Sequence, residues 1–398
     1  MAHKNLPLKG ATGQVQALKI LEVLEEYNSK DTILAVLLDN TAVNTGFKGG
    51  IVAWLEKSLE RKLHLNGCTL HQNELPFRAV FLHLYETTKN PQAFNGPIGK
   101  LASKENIHLD PTVDFEPISP GSESLNLPDE VVSDLSTDQQ LMYEYWVGIT
   151  TGKMRGNFAQ RKIGPVMHAR CFTLATRILC LYTKTKTPSE NLKNLTQYII
   201  QVYTLTWFLI KKSSSFHTSP SILFEMIQQI KKQDEVIRQI CLKNLSKNSY
   251  CLLPEIFVYC LLKTDDIETR EEGLKVVKKV RAAKKAIPRI TNLYDLQINF
   301  DAGRWQDLID LSIATEPAVT QIFEDQVIIE HLMSGEPLDL PDFPSHAQSV
   351  ERAVKLVSEA SSFVYGLEAR HKYILTKVKR RKLRPAFKSK SEYTFNYQ

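Results

Sequence analysis

In the first hundred residues, stretches with the apolar spacing of a helix alternate with short continuous apolar runs. From Thr12 to Tyr27, apolar side chains recur every three positions among polar neighbours, which predicts an amphipathic helix. The continuous apolar run from Thr32 to Leu38 predicts a strand that is covered on both faces, and the run stops at Asp39. A glycine-containing turn then leads to a predicted helix over 51–61, a short strand over 62–65 and a helix over 75–85. This order of strands and helices is an α/β signature.

Helical periodicity replaces this pattern from about residue 137 to about residue 289. It predicts helices over 141–149, 163–183, 192–212, 222–245, 252–262 and 270–286. Together they form a helical domain of about 150 residues. Beyond this domain, the pattern predicts a short strand over 296–300 and helices over 305–312, 319–333 and 347–378.

The segment between the two patterns, residues 103–138, has a different character. It holds four prolines, nine carboxylates and a single lysine. Such a segment buries too little apolar surface to order itself, so we expect a linker or a mobile loop.

The overall composition is that of a soluble globular protein. Of the 398 residues, 43% are hydrophobic and 24% are charged, which excludes a collagen, a coiled coil and a mostly disordered chain. The six cysteines include no C-x-x-C pair, so we expect neither a disulfide scaffold nor a zinc finger, and a reducing compartment fits best. We expect no export signal. The longest apolar stretch, 195–210, contains polar residues and predicts a buried helix with no membrane span.

The net charge of +6 is unevenly distributed. Residues 275–289 carry seven basic side chains, of which Lys278, Arg281 and Lys285 share one helical face. Residues 377–390 carry eight basic side chains, including Lys379, Arg380, Arg381, Lys382 and Arg384. Phosphate backbones or nuclear import receptors would suit both clusters. The alternative is a solvated face; for the first cluster, Glu268, Glu271 and Glu272 would balance it.

Three motifs contain candidate catalytic or metal-binding residues. Asp39 closes a buried strand at the carboxyl edge of the predicted sheet, where α/β proteins build sites, although an aspartate is also a common turn former there. Cys68 and His71 have C-x-x-H spacing, which suits two zinc ligands or a buried thiol beside a hydrogen-bonded histidine. Glu351 lies near the start of a predicted helix, so it either favours the helix dipole or completes a metal-binding carboxylate set with Asp39.

In their order along the chain and in their amino-acid sequences, these motifs resemble the conserved motifs of hAT-superfamily transposases. The motifs are DNTAVNTG at 39–46, CTLHQNEL at 68–75, GPVMHARC at 164–171 and SVER at 349–352. The resemblance implies an RNase H-like fold that is interrupted by a large helical insertion domain. It also implies a triad of carboxylates that binds two Mg²⁺ or Mn²⁺ ions for DNA cleavage and strand transfer.

Carried over to this chain, the resemblance makes Asp39 the second and Glu351 the third acidic residue of the triad, and so metal ligands. Cys68 and His71 match a motif that lies beside the active site and binds no zinc. Arg170 matches the arginine of an Arg-Trp pair in the insertion domain, and the tryptophan position is Cys171 here. Asn44 and Arg352 would flank the site, since each lies in one of the matching motifs.

On this resemblance the chain divides into five parts. They are the first part of a partial RNase H-like α/β core (1–102), the acidic proline-rich linker (103–138), the helical insertion domain (139–290), a return to the core with dimerisation-type helices (291–376) and a basic tail (377–398). The fold class is therefore α/β combined with all-α.

Two departures from the family shape the expected function. Because thirty-one residues precede the strand of Asp39, we expect no first catalytic aspartate, and because the sequence has no C-x-x-C pair, we expect no amino-terminal zinc finger. We expect a nuclear, transposase-derived protein that binds duplex DNA without strand transfer, forms homo-oligomers and takes no small-molecule substrate. The alternatives are a helical interaction scaffold with no nucleic-acid role, and an active metal-dependent transposase or nuclease.

Overall fold

The protein is mostly helical, with a small parallel sheet near its amino terminus. The computed structural model describes residues 12–85, 97–104, 106–121, 124–164, 170–213, 215–283, 287–346, 366, 368–370, 372, 373, 375 and 376. Within these residues the sheet has two strands, β1 (Ala35–Leu38) and β2 (His64–Gly67), with Ala35 opposite His64.

The helices are numbered in chain order. Those around the sheet are α1 (Gly13–Glu26), α2 (Ala42–Thr45), α3 (Ile51–Leu59), α4 (Thr69–Tyr85) and α5 (Pro97–Ala102). The others are α6 (Asp129–Asp134), α7 (Thr137–Thr151), α8 (Gly156–Ala159), α9 (Arg170–Thr183), α10 (Glu190–Tyr198), α11 (Thr204–Lys212), α12 (Ser219–Lys231), α13 (Glu235–Asn248), α14 (Pro254–Lys263), α15 (Ile267–Ala282) and α16 (Asp325–Ser334).

The predicted first helix and first strand are confirmed. Thr12 caps α1 by accepting a hydrogen bond from the Val15 amide, and α1 packs with α3 and the sheet around the buried Ala17 and Leu55. The second strand begins two residues later than predicted. The amide of Leu63 donates to Glu56 Oε1 at 2.9 Å, so β2 starts after this side-chain contact.

Most of the helices predicted over 137–289 are present in the described residues, and one of them is divided. The predicted helix over 222–245 ends at Lys231, and α13 starts after Asp234, whose carboxylate accepts from the Val236 amide at 2.9 Å. The predicted helix over 192–212 is present as α10 and α11, joined without a break by a π-helical turn at Ile199–Tyr203. This stretch is largely buried, and no helix in the described residues is long and apolar enough to cross a membrane.

The acidic segment packs along the helical domain. The Tyr182 hydroxyl donates to the Glu116 carbonyl at 2.8 Å, and the Ile118 amide donates to the Ile149 carbonyl at 3.2 Å. Phe115 and Leu127 also pack against the core. The described part of 103–138 therefore contacts α7 and α9, where the sequence predicts a linker or a mobile loop.

The strand predicted over 296–300 is wrong. Residues 296–300 contain no strand, because the Asn299 amide donates to the Leu308 carbonyl at 2.8 Å and closes a local loop. The helix predicted over 305–312 consists of two 3₁₀ turns, Trp305–Asp307 and Leu311–Ile313. In the described part of 291–346, the one extended contact is an antiparallel bridge between Pro344 and Ser215.

Candidate functional site

The carboxyl ends of β1 and β2 meet at one edge of the sheet, and Asp39 lies at this edge. Its Oδ1 accepts hydrogen bonds from the Thr41 amide (3.1 Å), the Thr41 hydroxyl (2.7 Å) and the Asn44 amide group (2.7 Å). Burial raises the pKa of Asp39, but these hydrogen bonds and the electrostatic interaction with His71 outweigh the effect of burial, so the pKa is lowered overall. The carboxylate is therefore ionised at neutral pH and closes an Asx turn.

The motif after β2 reaches the same edge. His71 is on the first turn of α4, and its Nδ1 lies 3.7 Å from Glu74 Oε2. The Cys171 thiol at the start of α9 contacts the Glu74 carbonyl at 3.9 Å. The structure thus brings Asp39, the second acidic residue of the implied triad, into one region with Asn44, His71 and Cys171, which the resemblance implies would flank the site.

Cys68 takes part in the backbone pairing at this edge. It is buried, and its amide donates to the Leu38 carbonyl at 2.9 Å, which extends the pairing of β1 and β2 by one residue. No group of three or more histidine, cysteine or acidic side chains that could hold a metal occurs in the described residues. The zinc alternative for Cys68 and His71 therefore lacks further ligands within the described part of the chain.

Residues at the end of α13 contact this edge of the sheet. The Asn40 amide group donates to the Asn248 carbonyl at 2.9 Å, and Thr45 donates to the Tyr250 hydroxyl at 2.7 Å. These contacts join the Asp39 turn to the end of α13. Sequence analysis missed Asn40, Thr45 and Tyr250: the first two lie inside the DNTAVNTG motif, but no local pattern connects them with Tyr250.

A small cavity of about 50 Å³ lies beside this edge, between α3, α14 and residues 289–291. Arg289 lines the cavity, and its guanidinium forms ion pairs with Glu56 at 2.8 Å and with Glu255. Burial raises the pKa of Glu255, although the positive charge of Arg289 opposes it. All three charged groups are largely buried, so this ion-pair network fixes α3, α14 and the chain after α15 to one another.

Basic side chains of the face predicted on α15 form ion pairs with acidic residues of the same chain. Arg281 donates to Glu316 at 2.6 Å and to Asp325 at 2.7 Å, and its side chain is 16% exposed. Lys275 pairs with Glu271 at 3.0 Å, as the alternative of a balanced face predicts. Lys278 is exposed. Of the three residues expected to contact DNA, Lys285 lies outside the described residues, and the guanidinium of Arg281 is already satisfied by acidic partners.

Several other candidates also lie outside the described residues. They are Glu351, Arg352, the side chain of Arg170, and Lys379, Arg380, Arg381, Lys382 and Arg384 of the basic tail. Asp39 is therefore the one carboxylate of the implied triad within the described part.

Comparison with known proteins adds no relative to this description. No family model matches the chain, and no curated protein and no solved structure matches it either.

Proposed function

We propose that the chain is a transposase-derived protein that binds duplex DNA and does not transfer strands. The observation that carries the proposal is a pair of exposed lysines, Lys243 and Lys247, four positions apart on α13. Residues four apart lie on the same face of a helix. The next residue, Asn248, bonds to Asn40 beside the Asp39 turn. Two cations thus lie next to the sheet edge, spaced to contact phosphates.

The absence of strand transfer is supported by the role of Asp39 in its own turn. A two-metal site needs acidic ligands that converge from separate elements. Here Oδ1 of Asp39 accepts hydrogen bonds from Thr41 and Asn44 of its own turn, and these local donors lower its pKa against the effect of burial. We also propose that β1, β2 and α1 to α4 are a partial RNase H-like core, in a nuclear protein. A parallel strand pair with Asp39 at its carboxyl edge supports this proposal.

The test is the salt dependence of duplex DNA binding by the full chain. Each phosphate contact contributes a slope of about −0.9 to the plot of log K against log salt, so replacing Lys243 and Lys247 by glutamine should reduce the slope by about 2. The matched control is the pair Lys275→Gln and Lys278→Gln on α15. A salt-independent affinity would contradict DNA binding, and a larger effect of the control pair would place the contact on α15.

Two alternatives have separate tests. An active enzyme would nick DNA with Mg²⁺ or Mn²⁺, and Asp39→Asn and Glu351→Gln would abolish the nicking. A helical scaffold would need an apolar groove within 137–290, but the large apolar side chains exposed in its described part, Leu209, Val236 and Ile267, belong to three different helices. Single exposed apolar residues are normal on a protein surface. The scaffold predicts that removal of residues 377–398 leaves partner binding intact and DNA binding at background.

A further inference from the structure

Two exposed aromatic rings near the sheet edge each have a lysine above them. Tyr294 is 72% exposed, and Lys247 Nζ lies 5.8 Å from its ring centroid. Phe47 is 49% exposed, and Lys48 Nζ lies 5.4 Å from its ring centroid. Aromatic rings usually bury most of their surface, so these two exposed rings are open to a ligand while each has a cation close by.

The two rings belong to elements on the two sides of the contact between the Asp39 turn and the end of α13. Phe47 follows Thr45 by two residues, and it lines the small cavity together with Thr291. Tyr294 is in the 3₁₀ turn Leu293–Asp295, which packs against α13. Lys247, whose Nζ lies over the Tyr294 ring, directly precedes Asn248, and the carbonyl of Asn248 accepts a hydrogen bond from Asn40 beside the Asp39 turn. Both rings therefore belong to the surface around the Asp39 turn.

The exposed charge of this surface is mainly positive. Lys48, Lys243 and Lys247 are exposed, against the exposed Asp295 and the half-buried Asp39. The acidic groups of the cavity below, Glu56 and Glu255, are paired with Arg289. Lysine is depleted in protein–protein interfaces, whereas an aromatic ring beside a cation suits a nucleotide, which has a flat base and a negative phosphate.

We propose that Tyr294 and Phe47 are stacking positions for unpaired bases of single-stranded DNA, with Lys247 and Lys48 on the flanking phosphates. The inference rests on the proposed function and extends it from duplex to single-stranded DNA, since a duplex keeps its bases stacked on one another and offers these rings no free base. Stacking tolerates any base, so the site reads the single-stranded state of the DNA and not its sequence.

The experiment measures the binding of a fluorescent oligo-dT of about 15 nucleotides, a length that single-strand grooves cover. Tyr294→Leu and Phe47→Leu should each weaken binding by about 5- to 150-fold, which corresponds to the loss of one stacked base. Tyr294→Phe keeps the ring and should bind as the unmodified chain does. Tyr27→Leu, at the far end of α1, is the remote control, because Tyr27 is also a half-exposed tyrosine.

A second readout reports stacking directly. An oligonucleotide with 2-aminopurine should lose fluorescence on binding to the unmodified chain and to Tyr294→Phe, and should keep more of it with Tyr294→Leu. Tyr294 is exposed, so its variants should melt at the temperature of the unmodified chain. The Tyr294 variants therefore test the stacking site even if Phe47→Leu impairs folding.

The outcomes separate the two proposals. If Tyr294→Leu and Phe47→Leu bind oligo-dT as tightly as the unmodified chain while duplex binding persists, the stacking site is overturned and the proposed function stands. If the unmodified chain binds neither oligo-dT nor duplex, both are overturned. Capture of a protein partner that needs Tyr294, without binding of oligo-dT, would assign the surface to protein recognition and overturn the stacking site.

Discussion

At the scale of single residues, His64 shows how position in the fold sets charge. It is fully buried in β2, with ring centroids 4.5 Å from Tyr259 and 4.7 Å from Phe343. Burial and the positive charge of Arg289 lower its pKa from 6.5 to about 3. Between these two pH values, the unfolded chain binds a proton that the folded chain does not. Stability should therefore fall as the pH drops below about 6.5.

We predict that His64→Phe removes this pH dependence while its ring keeps the aromatic packing. From pH 7 to pH 5, the unmodified chain should lose about 2 kcal/mol more free energy of unfolding than the variant does. Urea unfolding at the two pH values measures this difference. His83→Phe is the matched control, since His83 is exposed on α4. Equal acid sensitivity of the unmodified chain and the His64 variant would contradict the prediction.

At the scale of elements, the contact between β2 and the end of α13 depends on the small size of Gly67. A Cβ at Gly67 would lie 2.8 Å from both Asn40 Oδ1 and Tyr250 Cβ. We predict that Gly67→Ala destabilises the fold by about 1 to 3 kcal/mol, the usual cost of an overpacked contact. Denaturant unfolding gives the value.

The chain provides a matched glycine for this prediction. A Cβ at Gly49 would meet no atom within 4 Å, so Gly49→Ala should leave the free energy of unfolding within about 0.5 kcal/mol of the unmodified chain. Equal effects of the two substitutions would mean that Gly67 is not a close contact between β2 and the helical domain.

At the scale of the whole molecule, one hydrophobic core runs through the parts that the sequence separates. A single cluster of buried side chains includes Val52 on α3, Phe77 on α4, Trp146 on α7 and Phe343 near the end of the described chain. We predict one cooperative thermal transition, because neither the sheet nor the helices can bury this core alone. Calorimetry should give equal calorimetric and van't Hoff enthalpies. Two separated transitions would show independent domains.

Much of the local structure could be predicted from the sequence. The helices α1, α7, α14 and α15 and the strand β1 follow from apolar periodicity, which depends only on neighbouring residues. The same holds for the position of Asp39 at the end of a strand. The strand over 296–300 was wrong because a short apolar run does not reveal its pairing partner, and here Asn299 bonds to Leu308 instead.

The sequence by itself therefore determined most of the helical elements, the apolar strand β1 and the residues near Asp39. Only the tertiary structure decided which charged and aromatic groups are used within the chain and which reach the surface. It pairs Arg281 with Glu316, brings Tyr250 to Thr45, and places Lys247 over the exposed Tyr294. The physical reason is that these contacts join residues 35 to 205 positions apart, and side-chain pairing at that separation leaves no periodic trace in the sequence.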